Sequence, residues 1–115
     1  MPTQIYHNPR CSKSRQTLEL LQQQHIDIEL VDYLKNPPDR ETLRKLLGLL
    51  GMEPRQLIRK GEAEYRELGL DNPDLTPDAL IDAMVAHPRL IERPIVIHNN
   101  KAALGRPPEA VLEIL

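Results

Sequence analysis

The chain of 115 residues contains no phenylalanine, no tryptophan and a single cysteine, Cys11. Without a second cysteine no internal disulfide can form, so the fold does not depend on an oxidising compartment. Without the two largest apolar aromatics the core must be aliphatic, and nineteen leucines supply it. No run is apolar enough to span a membrane. The N-terminus lacks the basic-then-apolar pattern of a secretory leader, so the expected location is cytoplasmic. A net charge of −2 and three tyrosines as the only aromatic side chains of that class argue against nucleic-acid binding. Zinc would need more cysteines or paired histidines. His25, His87 and His98 show no ligand spacing, so they read as surface residues and no metal is expected.

Acids are missing from three stretches. Residues 1–18 carry Arg10, Lys13 and Arg15; residues 54–61 carry Arg55, Arg59 and Lys60; residues 93–108 carry Arg93, Lys101 and Arg106. The rest of the chain holds six basic residues against all seventeen acids, a net −11. If the three stretches meet in space they form an anion pocket around one thiol.

Cys11 stands between a turn signal, Asn8-Pro9, and the start of a helical pattern, with Ser12 as the expected N-cap. A sulfur at a helix N-terminus faces free N–H groups and the positive end of the dipole, and both favour thiolate. The plainer reading makes Cys11 a small buried hydrophobe, but its neighbours Arg10, Ser12, Lys13 and Ser14 are not core residues. Ser14 stands where dithiol oxidoreductases carry a second thiol. Any redox cycle therefore needs a thiol from outside; Ser14 also suits a first-turn helix residue satisfying a backbone donor. His7 reads equally as an imidazolium beside the thiolate or as an exposed strand-end residue. Arg59, Arg93 and Arg106 are each isolated, as solvated arginines usually are. Two of them precede proline, which stiffens the backbone, and the guanidinium fork suits tetrahedral oxyanions. Nucleotide-binding glycine motifs and the nucleophile elbow are absent. The arginine that cysteine phosphatases carry six residues after their cysteine is here Thr17.

Strands are expected at Thr3–His7, at Ile26 to Leu30, at Pro94–His98 and at Lys101–Leu104, the last two joined by a tight Asn99-Asn100 turn. Helices are expected at Ser12–Gln24, through Leu43, Leu46, Leu47 and Leu50 up to Gly51, at Pro54–Ile58, at Ala63–Leu68, from Thr76-Pro77 to Ala86 and at Glu109–Leu115. The helix opened by Thr76 is expected to bury Leu80, Ile81, Met84 and Val85. The order β-α-β, a helical block, then β-β-α predicts an α/β thioredoxin-like fold. It has a four-stranded mixed sheet and a helical insert at about residues 36–90 of a single domain, 1–115.

Five segments in order carry a family resemblance. They are Tyr6-His7-Asn8-Pro9-x-Cys11-x-x-Ser14-Arg15, Leu57-Ile58-Arg59-Lys60, Tyr65-x-Glu67-Leu68-Gly69-Leu70, Arg93-Pro94-Ile95-Val96 and Gly105-Arg106-Pro107. With them the chain resembles the glutaredoxin-dependent arsenate reductases, an ArsC-like family of the thioredoxin-like superfamily. The resemblance implies that Cys11 attacks arsenate, that Arg59, Arg93 and Arg106 bind the oxyanion, and that His7 and Ser14 support the thiolate. It implies glutathione as co-substrate, glutaredoxin as partner and no bound cofactor. It also implies a cis Arg93–Pro94 bond before the third strand. Members carry glycine directly after the cysteine, where this chain has Ser12. A sister branch of redox-responsive regulators binds RNA polymerase and usually has cysteine in place of Ser14, and a glutathione-linked reductase of another substrate is the further alternative.

Overall fold

The computed structural model describes residues 2–115. β1 (Thr3–Tyr6), with Thr3, Ile5 and Tyr6 buried, is an inner strand of a four-stranded sheet. It pairs in parallel with β2 (Ile28–Val31) and antiparallel with β3 (Ile95–His98), which pairs in turn with β4 (Lys101–Leu104). The order is β2-β1-β3-β4, the expected thioredoxin-like mixed sheet. The parallel pair needs a crossover, supplied by α1 (Ser12–Gln23). The β3–β4 hairpin turns on Asn99 and Asn100, both at positive φ (49° and 61°), as the two-residue primed turns require.

The chain forms two compact units. One runs up to Asn36 and resumes with Arg93–Leu115; the other is Pro37–Glu92. In the first, Ile5, Leu21, Val96 and Val111 are fully buried, with Leu18, Ile26, Ile28, Ala103 and Ile114 packed against them. Each fully buried aliphatic side chain contributes about 1.5–3 kcal/mol. The C-terminal segment expected as an α-helix is a 3-10 helix, Pro108–Ile114. That winding eclipses residues three apart, which suits Val111 and Ile114 on one core. The second strand starts later than expected, and Leu30 is 55% exposed because β2 is an edge.

The second unit is helical: α2 (Arg40–Leu50), α3 (Pro54–Leu57), α4 (Ala63–Glu67), α5 (Pro77–Ala86) and a 3-10 turn, Pro88–Leu90. Asp39 caps α2 through the Thr42 N–H at 2.8 Å, and Gly51 ends it in the left-handed region at φ 65°. Leu43, Leu46 and Leu47 are buried. The Thr76 hydroxyl accepts from Ala79 N–H at 3.1 Å and opens α5. That helix buries Leu80, Ile81 and Met84, but Val85, expected with them, is only half-buried. Arg44 reaches Asp78 at 2.7 Å, and Arg40 pairs with Asp82, tying α2 to α5.

Candidate active site

The turn after β1 is built by Asn8. Its side-chain oxygen accepts from Arg10 N–H at 3.0 Å and its carbonyl accepts from Cys11 N–H at 3.0 Å. Arg15 Nη1 donates to the Pro9 carbonyl at 2.8 Å and pins the same turn from the first helical turns. The turn delivers Cys11 in extended backbone, φ −94° and ψ 122°, as the N-cap of α1. Ser12, expected to cap, is instead the first helical residue. The cap needs extended backbone, and the Asn8 turn imposes it one residue earlier.

The sulfur occupies the cap without a full-length capping hydrogen bond. Partial burial pushes its pKa up. The backbone N–H and hydroxyl of Ser14, the N–H of Lys13 and the Arg93 side chain together push it further down, and the net value lies below that of an ordinary thiol. Ser14 is fully buried, and its Oγ also accepts from Asn8 N–H at 3.4 Å. A hydroxyl has one donor and two acceptor positions, so Ser14 links the Asn8 turn to the sulfur. Arg106 Nη2 lies 3.6 Å from Cys11 Sγ, and Arg106 Nε donates to the Arg93 carbonyl at 2.8 Å. Arg93–Pro94 is cis, as expected, and Arg106–Pro107 is cis as well.

Of the three acid-free stretches, the first unit joins 1–18 and 93–108 around Cys11 through Arg93 and Arg106. Lys101, exposed at the hairpin turn, starts the strand at whose other end the chain leads to Arg106. Arg59 belongs to the second unit. Its N–H donates to Leu90 O at 2.7 Å, beside the Ile58–Ile91 bridge. Its guanidinium contacts Glu92 at 3.1 Å and Glu62 at 3.4 Å, and Glu62 also takes Arg89 at 3.1 Å. An anion reaching Arg59 therefore shares it with two carboxylates. Arg55 is a structural clamp: it donates to the Tyr65 hydroxyl at 3.2 Å, to the Leu70 carbonyl and to Asn72 O at 2.9 Å.

His7 departs from the charged reading. Burial lowers its pKa, Asp32 opposes this and Arg15 adds to the lowering, so the ring favours its neutral form. Its Nδ1 is buried without a hydrogen-bond partner. His98, read as a surface residue, is half-buried, with Nδ1 2.7 Å from Thr3 Oγ1 and Nε2 3.2 Å from Asn99 Nδ2. Among the described residues no group of three His, Cys, Asp or Glu side chains is arranged to hold a metal, and no helix is long and apolar enough to cross a membrane. In the sequence Asn8 carries only a turn signal and Asp32 carries none. Pro9 after Asn8 was the available signal for the first; no sequence signal brings Asp32 to His7.

Comparison with known proteins bears on this arrangement. The ArsC family model matches residues 6–114. The chain is 56% identical over 112 residues to the uncharacterised YfgD protein of Escherichia coli K12, covering 96% of this chain and 94% of that one. It is 50% identical over 112 residues to an arsenate reductase of Neisseria meningitidis serogroup B, covering 96% of each. Among solved structures, an arsenate reductase from Vibrio cholerae superposes with a TM-score of 0.97 at 52% identity, covering 100% of this chain and 98% of that one.

Proposed function

From the premise that this chain belongs to the ArsC family, we propose that it reduces arsenate to arsenite. The observation that carries the reading is the convergence of Arg93 and Arg106 on a thiol whose pKa is lowered at the start of α1. A thiolate is the nucleophile. Guanidiniums beside it neutralise an incoming oxyanion and remain in place as charge develops. Arsenate reductases among the relatives support that choice of oxyanion.

The chemistry follows from the residues. The Cys11 thiolate displaces a hydroxyl from arsenic(V), and that hydroxyl takes a proton from solvent and leaves as water. Glutathione thiolate then supplies the second sulfur. Two electrons pass from the two sulfurs to arsenic as they join in a Cys11–glutathione disulfide, and arsenic(III) departs as arsenite. A glutaredoxin thiolate attacks that disulfide and restores Cys11. The second thiol comes from solution because the chain has only one cysteine. Arg59 is proposed as the third contact to arsenate on the family pattern alone. Ser14 holds the thiolate by donating to it, and His7 acts as a neutral ring lining the turn. A working thiolate needs reducing surroundings, which favours the cytoplasm.

The test couples arsenate to NADPH oxidation through glutathione reductase, with each component omitted in turn. Turnover is expected only with glutathione and should fall sharply without glutaredoxin. Full activity with thioredoxin and its reductase alone overturns the proposed electron route. Absence of turnover in every combination overturns the arsenate reading.

A further inference from the structure

Gly105 lies where three chain segments of the site touch. Its N–H donates to the Pro94 carbonyl at 2.9 Å, so it is locked to the residue after Arg93. It immediately precedes Arg106. A β-carbon built on Gly105 would lie 2.5 Å from Thr17 Oγ1 and 2.6 Å from Pro94 Cγ, well inside contact distance. Its φ is outside the left-handed region, so space and not backbone conformation excludes a side chain here. Neither neighbour yields easily. The Pro94 ring is rigid, and Thr17 is fully buried on α1, the helix that Cys11 caps.

We propose that Gly105 is a positioning residue: its missing side chain lets the Arg93-Pro94 and Gly105-Arg106 segments close on α1, which sets both guanidiniums at the Cys11 sulfur. Contacts on each side connect Gly105 to the sulfur. Pro94 ties Arg93 to Gly105, the Arg93 carbonyl takes Arg106 Nε at 2.8 Å, and Arg106 Nη2 reaches the sulfur at 3.6 Å. A methyl group at 105 must part these segments from α1 by tenths of an ångström or more. The displacement falls first on Arg106, the next residue along. Charge-assisted contacts of this kind depend on close geometry, so both arginines lose their hold on sulfur and on any anion beside it.

The inference rests on the reading of Cys11 and its arginines as an anion site, but its test does not require arsenate turnover. Gly105→Ala, Thr17→Ala and the double variant are compared with the parent. The readouts are iodoacetamide alkylation rate against pH and calorimetric binding of inorganic arsenate. In folded Gly105→Ala the alkylation midpoint should rise by about one pH unit, a tenfold change in thiolate equilibrium. Arsenate affinity should fall about tenfold. Thr17→Ala should leave the midpoint in place, and the double variant should recover part of the shift because one of the two collisions is gone. A folded Gly105→Ala protein that is merely less heat-stable, with the parental midpoint, overturns the proposal. So does a parental midpoint in the double variant if the single variant does not fold, and failure of both to fold would assign Gly105 to folding alone. Loss of arsenate binding in the parent, with the midpoint shift intact, would count against the substrate and leave the positioning role standing.

Discussion

The Cys11 thiol is subject to opposed effects, and their balance sets its pKa. Burial works against the thiolate, while Ser14, Lys13 and Arg93 work for it and win. Alkylation of the parent protein should therefore reach half its maximal rate below the pH of a free thiol, and Cys11→Ser should abolish modification and turnover without unfolding the chain. Arg93→Ala and Arg106→Ala should each weaken oxyanion binding roughly ten- to a hundredfold, the worth of about 1.5–3 kcal/mol for a hydrogen bond to a charged group. Titration calorimetry measures this directly. His7 makes a different prediction. Its folded-state pKa is lowered mainly by burial, so below about pH 6.5 the unfolded chain takes up the proton more readily than the folded one. Stability should fall as pH drops below the unfolded value, and His7→Gln should flatten that slope in urea melts run between neutral and mildly acidic pH.

At the scale of elements, what matters is where each begins and ends. The Asn8 turn moves the cap of α1 onto Cys11 and sets its sulfur at the positive end of the helix. The same logic fixes α5, where the Thr76 hydroxyl closes the first turn over Ala79. Thr76→Ala should cost about 1 kcal/mol, visible in chemical denaturation, and should leave the Cys11 alkylation midpoint unchanged. Arg55 spans the turns between α3 and the residues after α4. Arg55→Ala should lower stability because three acceptors lose one partner. Arg66, exposed on α4, is the better control for general electrostatics, and Arg66→Ala should alter neither stability nor binding by a measurable amount.

On the scale of the whole molecule, the sheet distributes stability unevenly. Ile5 and Leu30 are register partners on neighbouring strands, yet Ile5 is fully buried and Leu30 is 55% exposed. Ile5→Ala should cost about 2–5 kcal/mol, while Leu30→Ala on the edge should stay within about 0.5 kcal/mol. Parallel urea melts separate the two. The sorting of charge has a similar dual outcome. Two of the acid-free stretches supply the arginines at Cys11, whereas Arg59 in the third meets Glu62 and Glu92.

The sequence by itself determined the element order and the mixed sheet, because those follow from local signals: strand alternation, turn residues and leucine spacing; it also placed the lone cysteine at a helix start after Asn8-Pro9. It also carried the cis bond at Arg93–Pro94 through the fold it implied. Contacts between residues far apart in the chain were decided only by the tertiary structure. Burial of His7 beside Asp32 favours the neutral ring, although the sequence read equally as an imidazolium or an exposed strand-end ring. Eclipsed packing made the last helix a 3-10 turn over Val111 and Ile114. The edge position left Leu30 open to solvent. The space denied at Gly105 by Thr17 and Pro94 is of the same kind. A sequence pattern records which residues alternate or repeat, but desolvation and collision depend on what the folded chain brings from a distance.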